Sequence, residues 1–284
     1  MVMNLPVGKP ESSCFGTKQF GWGQRTYIMG IVNVTTDSFS GDGLGADPKA
    51  ALEQARRFAK EGADILDIGG ESTRPDSQPV SMREELDRVI PAVRLISRNL
   101  DIPVSVDTYR YEVAEEALKA GACIINDVWG LKKDPSLFEL AAKRPAGWVI
   151  TSNQRENPAE DIMATVTREL RETALRLLGL GVPAQNIIID PGVGFGKTLE
   201  QNLEIVRRLS ELGSLNLPIL LGTSRKSLIG QVLDTPPDER LEGTAATVAL
   251  GIGGGADIVR VHDVAYMKRV CRMSDAVIRG KIWK

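Results

Sequence analysis

Apolar residues along the chain gather in short, β-branched runs separated by longer stretches of helical spacing. Eight runs stand out: Tyr27–Val34, Asp64–Gly69, Pro103–Asp107, Ala122–Asp127, Gly147–Thr151, Asn186–Asp190, Pro218–Gly222 and Asp257–Val261. None alternates strictly with polar residues, which predicts strands buried on both faces, as in a parallel sheet. Between them Pro48–Glu61 is helical in spacing, with Asp47 as cap and Pro48 in the first turn. Ser81-Met-Arg-Glu84 reads as a capping box opening a helix to about Arg98. Further helices are expected at about 110–120, 135–143, 160–179, 199–211, 238–252 and 264–279, with Gly62, Gly121 and Gly181 where helices end. Eight strands alternating with eight helices predict an α/β fold, the (β/α)8 TIM barrel, with a doubly wound open sheet as runner-up. Residues 1–26 would form an N-terminal extension with room for one small hairpin, and 27–284 a single barrel domain.

Composition narrows the function classes. The 284 residues suit two domains of about 150 or one barrel of about 250. With 42% apolar and 25% charged residues the chain is ordinary globular protein, neither disordered nor collagen-like. A net charge of −2 provides no broad basic field for nucleic acid or an anionic membrane, so an anionic ligand must be held by a few local cations. Mean hydropathy is −0.11, and no apolar run approaches the roughly 18 residues of a membrane span. Cys14, Cys123 and Cys271 are too few and too scattered for a disulfide framework or a CxxC zinc site. Met1–Pro10 lacks the basic-then-apolar order of a secretory signal, so a reducing cytoplasm is the expected compartment. His262 is the single histidine, which excludes a His–His metal site.

In such barrels the chemistry sits at the C-terminal ends of the strands. Those ends are dense in polar residues here: Asn33 and Asp37 after the first, Glu71-Ser72-Thr73-Arg74-Pro75 after the second, Asp107 after the third, Asn126-Asp127 after the fourth, and Asp190 after the sixth. The seventh leads to Thr223-Ser224-Arg225-Lys226, and the eighth carries Arg260, His262 and Asp263. A lone aspartate at a strand end is as easily a cap as a catalyst, whereas a whole rim of such residues is not. Asp107, Asn126, Asp190 and Lys226 would suit a flat nitrogen heterocycle presenting ring N–H and amino groups. Asn33, Arg260 and His262 come from the neighbouring first and eighth strands, and Arg260 suits phosphate oxygens. Asp263 is placed to raise the His262 pKa if the two touch; the bland reading of His262 is a satisfied core histidine. Gly192-Val-Gly-Phe-Gly-Lys197-Thr198 is not a P-loop, because three residues instead of four separate Gly192 from Gly196. It reads instead as a flexible turn carrying Phe195 over a ligand.

These segments together resemble the dihydropteroate synthase family. The matching stretches are IMGIVNVTTDSFS (28–40), ADILDIGGESTRP (63–75), SVDTYR (105–110), INDVWG (125–130), IIDPGVGFGKT (188–198), LLGTSRKS (220–227), RLEGTAATVAL (240–250) and GADIVRVHDV (255–264). The resemblance implies condensation of 6-hydroxymethyl-7,8-dihydropterin pyrophosphate with p-aminobenzoate, giving 7,8-dihydropteroate and pyrophosphate with help from Mg2+. It implies a pterin pocket of Asp107, Asn126, Asp190, Phe195, Gly222, Lys226 and Arg260. It implies a pyrophosphate site of Asn33, Thr73, Arg74, Arg260 and His262, with Asn33 also at the metal, and a p-aminobenzoate site of Phe39, Thr73, Pro75, Ser224 and Lys226. The catalytic set it implies is Lys226, Asp107, Asp190, Arg260, His262 and Asp37, in a homodimer built through residues 238–280.

The chain departs from the family pattern in two places. Thr36 stands where proline is usual and Gly41-Asp42-Gly43 where Asp-Gly-Gly is usual. The fifth strand ends in Thr151-Ser152-Asn153-Gln154-Arg155 instead of Met-His. Two other readings therefore stay open at this point. One is a non-catalytic pterin-binding module. The other is a pterin-dependent corrinoid methyltransferase, which has no need of Lys226 or the Arg260–His262 pair.

Overall fold

In the computed structural model of the chain, residues 4–35, 47–72 and 78–284 are described. Ten strands and nine helices follow in order among them. A hairpin of β1 (Ser12–Phe15) and β2 (Lys18–Gly21) comes first. The barrel strands are β3 (Tyr27–Asn33), β4 (Ile65–Gly69), β5 (Val104–Asp107), β6 (Ile124–Asp127), β7 (Gly147–Thr151), β8 (Ile187–Asp190), β9 (Leu220–Leu221) and β10 (Ile258–Val261). The helices are α1 (Pro48–Glu61), α2 (Met82–Asn99), α3 (Tyr111–Ala120), α4 (Leu137–Lys143), α5 (Ile162–Gly179), α6 (Leu199–Arg207), α7 (Ser227–Leu233), α8 (Leu241–Gly253) and α9 (Val264–Ile278).

All eight barrel strands are parallel, in the order β8-β7-β6-β5-β4-β3-β10-β9. The short β9 closes onto β8 through a parallel bridge between Ile189 and Ile219. Closure excludes the doubly wound alternative, which would leave two free edges. One face of the strands (Ile28, Val32, Leu66, Ile68, Val106, Ile125) packs on the helices in the main core. The other face (Met29, Ile65, Ile124, Val149, Ile188, Leu220, Ile258) fills the barrel.

The hairpin closes the N-terminal end. Phe15, Phe20 and Trp22 join that interior cluster, and Phe20 lies 4.8 Å from the Tyr27 ring. A side chain at Gly147 would put its Cβ 2.6 Å from the Phe15 ring, so glycine there admits the aromatic plug. With one mouth sealed by apolar rings, the opposite mouth is left for polar work.

Local signals explain most boundaries. The Asp47 carboxylate accepts from Lys49 N, and Gly62 closes α1 with φ at +106°. Ser81 Oγ accepts from Glu84 N as expected, but the Glu84 carboxylate pairs with Arg88 one turn on. The full reciprocal capping box is at Thr198 and Gln201, opening α6. The helix expected over 199–211 ends at Arg207 and is followed by a 3₁₀ segment, Leu209–Leu215. Leu209, Leu212 and Leu215, all buried, share one face at the three-residue period of that helix. Short α7 is an addition to the expected helices; a Cβ at its Gly230 would sit 2.2 Å from Arg240 Nη2, so glycine admits the arginine there. Among the described residues no helix is long and apolar enough to cross a membrane.

Candidate active site

Parallel strands paired in register carry their C-terminal ends to one rim, and that is how distant aspartates meet. Asp107 ends β5, Asn126 lies in β6 and Asp190 ends β8. Arg260 reaches across from β10. Its Nε donates to Asp67 Oδ2 at 2.6 Å, and its Nη2 donates to Asp107 Oδ2 at 2.8 Å. Asn126 Nδ2 donates to the same Asp67 oxygen at 3.0 Å. Asp67, in the middle of β4, is fully buried, and its Oδ1 has no hydrogen-bond partner. Sequence reasoning passed over Asp67; the signal was a lone charge inside the apolar run Ile65-Leu66-Asp67-Ile68.

On the other side of the mouth, Lys226 Nζ donates to Val193 O at 2.5 Å and lies 4.5 Å from the centre of the Phe195 ring. A Cβ at Gly222 would be 3.8 Å from both Lys226 Nζ and Arg260 Cβ, so Gly222 marks the floor between the two cations. Asp190 Oδ1 accepts from Gly192 N at 2.7 Å. Asn33 ends β3, and a Cβ at its register partner Gly69 would lie 3.7 Å from both Asn33 Oδ1 and Asp107 Cβ. His262 is joined to Ser224 by Nδ1 and Oγ at 2.9 Å, and its backbone N–H donates to the same Oγ at 3.2 Å.

The electrostatics follow first from the burial of charged groups in the mouth, and then from how their neighbours offset it. Burial pushes Asp107 up to about 7, against the pull of Arg260 and with repulsion from Asp67 adding to it. Burial also raises Asp190, opposed by Lys226. Lys226 is pushed down to about 8 by loss of solvent, with Asp190 holding it partly up. The mouth therefore holds groups that change charge near neutrality, as sites of proton-coupled chemistry often do.

Several expectations are corrected. Adjacency in sequence leaves the Asp263 partner open; its carboxylate takes the Arg225 fork, with Nε at 3.0 Å and Nη2 at 2.6 Å. Asp127 turns away from the ligand space and accepts from Trp129 N and Leu131 N, both at 2.7 Å, which makes it the clamp of the following turn. The 192–196 turn, read from its glycines as flexible, is tied to its neighbours by hydrogen bonds. Lys197 Nζ donates to Ser152 O at 2.8 Å, Gly192 O at 2.9 Å and Phe195 O at 3.3 Å. Asn202 Oδ1 accepts from Gly194 N at 2.6 Å. A Cβ at Gly192 would lie 1.9 Å from Ser152 O, so the turn and the end of β7 interlock. Lys197 is thus spent on backbone carbonyls, which agrees with the rejection of a P-loop.

The altered end of β7 is a buried polar knot. Ser152 Oγ and Gln154 Nε2 donate to Glu169 Oε2 at 2.8 and 2.7 Å, and Lys132 pairs with the same oxygen at 2.9 Å. Asp37, Phe39, Thr73, Arg74 and Pro75, together with Thr36 and Gly41-Asp42-Gly43, lie outside the described residues. The structure thus gathers Asp107, Asn126, Asp190, Phe195, Gly222, Lys226 and Arg260 in one mouth, with Asn33 at its edge and Ser224–His262 as a neighbouring pair.

Comparison with known proteins agrees with this geometry. The pterin binding enzyme family matches residues 29–262. The dihydropteroate synthase of Clostridium beijerinckii is 47% identical over 265 residues, covering 93% of this chain and 98% of the relative. A crystal structure of a Clostridium difficile dihydropteroate synthase in the presence of pteroic acid superposes with a TM-score of 0.87 at 50% identity, covering 92% of this chain and 99% of that one. The Xanthomonas albilineans dihydropteroate synthase with 4-aminobenzoic acid superposes with a TM-score of 0.88 at 38% identity, covering 94% and 98%. The chain belongs to the pterin binding enzyme family and, within it, to the dihydropteroate synthases.

Proposed function

We propose that this mouth condenses 6-hydroxymethyl-7,8-dihydropterin pyrophosphate with p-aminobenzoate, and that the observation carrying the reading is the buried Asp67–Arg260–Asp107 bridge facing Asp190 and Lys226. Asp107, Asn126 and Asp190 present acceptors to the amino and ring N–H edge of a pterin. A donor edge that takes over the Asp107 carboxylate displaces Arg260 Nη2 from it. Asp67 keeps Nε, so Arg260 stays in place with one edge released toward pyrophosphate oxygens. Lys226, over Phe195, donates to the ring's carbonyl side. The bond between the pterin CH2 and the pyrophosphate oxygen breaks, positive character spreads into the ring, and Asp107 and Asp190 stabilise it. The p-aminobenzoate nitrogen forms the new C–N bond and then sheds its proton. That amine is neutral at pH 7, so no strong base is needed, in keeping with a single histidine. His262 and Asn33 complete the pyrophosphate side, and Ser224 lies between that side and the p-aminobenzoate.

Magnesium fits what is present only as an ion shared with the substrate. Asn33 Oδ1 offers one neutral oxygen at the mouth's edge, the hard donor type that Mg2+ takes beside phosphate oxygens. When bound there it would offset charge on the leaving pyrophosphate. A single-turnover assay tests both parts. Dihydropteroate is expected only with both substrates and Mg2+, with at least about a tenfold fall in EDTA and recovery on adding Mg2+ back. Pterin binding with no product would leave a binding module; product indifferent to EDTA would remove the metal.

The late helices support a homodimer. Leu250 is 64% exposed, Met273 65% and Val277 71%, an apolar set on the outward faces of α8 and α9. Light scattering is expected to give twice the 30.8 kDa chain mass, and Leu250→Asp with Val277→Asp to return it to one. A monomeric wild type at micromolar concentration would overturn this. A cytoplasmic location is proposed with it, in keeping with three free cysteines.

A further inference from the structure

The turn after β7 brings a further cation to the mouth. The Arg155 backbone is fixed: its N–H donates to Asn153 Oδ1 at 3.0 Å, and Gln154 N donates to Phe195 O at 3.1 Å. A Cβ at Gly196 would be 2.2 Å from Arg155 N, so the two turns are in close contact. Beyond this anchored backbone the guanidinium carbon lies 5.0 Å from the Phe195 ring centre and 5.9 Å from that of Trp129. The same Phe195 ring takes Lys226 Nζ at 4.5 Å. Asp107 and Lys226 both feel the Arg155 charge, one attracted and one repelled.

Topology decides which part of a ligand this cation meets. Around the barrel β7 stands between β6 and β8, flanked by Asn126 and Asp190. The strands carrying Asn33 and His262, β3 and β10, pair with each other on the far side of the barrel. Arg155 therefore faces the ring end of the pocket, away from the pyrophosphate end. A guanidinium held by aromatic rings is flat, weakly hydrated and suited to stacking on another flat ring.

We propose that Arg155 is a specificity-determining residue of the pterin pocket, its guanidinium supported by Phe195 and Trp129 and stacking on the heterocycle that Asp107, Asn126 and Asp190 hold by its edge. This deepens the dihydropteroate synthase reading and rests on it. Arg155→Gln and Arg155→Lys are compared with wild type by calorimetry with 6-hydroxymethylpterin, which lacks the pyrophosphate, and with inorganic pyrophosphate. Steady-state kinetics supply the two KM values.

The glutamine variant is expected to bind 6-hydroxymethylpterin about tenfold more weakly, and its KM for the pterin substrate rises by a similar factor. The lysine variant keeps the charge but not the plane, and is expected to lose at least half of that effect on a logarithmic scale. Pyrophosphate affinity and the KM for p-aminobenzoate stay within about twofold. Unchanged pterin binding in both variants overturns the inference. So does a lysine variant equal to wild type, or a loss confined to pyrophosphate. If wild type itself does not bind the pterin, the underlying reading fails; if wild type binds and the variants are indifferent, only the role of Arg155 does. Circular dichroism and melting of each variant check that it is folded.

Discussion

Lys226→Met is expected to lose at least about a hundredfold in kcat/KM for both substrates while melting within a few degrees of wild type. The ammonium is held on Val193 O and over the Phe195 ring, where loss of solvent has already pushed it down to about 8. An ammonium kept at that cost contributes little to stability, so the variant folds; what disappears is the donor facing the ligand. The pH dependence follows from the same shift. In the folded chain Lys226 loses its proton near 8 and in the unfolded chain near 10.5, so between those values the unfolded state binds more protons and stability rises with pH. Activity runs the other way, falling as pH climbs through about 8. Both trends vanish in Lys226→Met. A variant with wild-type turnover, or one whose alkaline limb is unchanged, would show that Lys226 is not the donor to the pterin ring.

Asp67→Ala is expected to be the most damaging single change to both fold and activity. Asp67 is wholly buried and is the common acceptor for Arg260 Nε and Asn126 Nδ2. Removing it leaves a buried guanidinium with one acid instead of two, and breaking such a pair costs about 3–5 kcal/mol. Urea denaturation should show that loss as a lower midpoint with an unchanged slope. Activity should fall by at least about two orders of magnitude even at temperatures where the variant is folded, because Arg260 and Asn126 lose the group that orients them. Asp67→Asn keeps the shape and an acceptor oxygen but not the charge, and should recover part of the stability but little of the rate. Full activity in a folded Asp67→Ala would show that Arg260 needs only Asp107.

The shift at Asp107 arises in the same triangle. Burial raises the Asp107 carboxyl to about 7, Arg260 pulls against that rise, and the neighbouring Asp67 charge adds to it. On the proposed mechanism a ligand edge that donates to Asp107 favours the ionised form, so calorimetry in buffers of different ionisation heat is expected to show proton release on pterin binding near neutral pH. The arrangement also gives Arg260 two duties without moving its backbone. Asp67 holds its Nε, and in the proposed mechanism Asp107 exchanges its Nη2 for the ligand.

The chain's own pattern determined the architecture. Eight two-face-buried runs alternating with amphipathic stretches have few solutions, and several boundaries have a local cause such as Asp47, Ser81 or Gly62. The residue types at the strand ends, Asp107, Asn126, Asp190, Lys226 and Arg260, already marked the polar mouth, because a parallel barrel carries its strand ends to one rim.

What the sequence left open are pairings between residues far apart along the chain. Arg260 and Asp67 are 193 residues apart, and nothing local to either names the other. Adjacency suggested Asp263 for His262, but tertiary packing gave Asp263 to Arg225 and His262 to Ser224. The glycine-rich turn looked loose because glycine permits many conformations. It is closely packed because Lys197 and the end of β7 fill the space those glycines leave. Arg155 was unremarkable as one charge in a polar loop, and only the closeness of β7 and β8 put it on Phe195. Local propensity and periodicity act over a few residues and set the elements; which charge meets which is decided where the closed barrel brings the strand ends together and burial forces each one to find a partner.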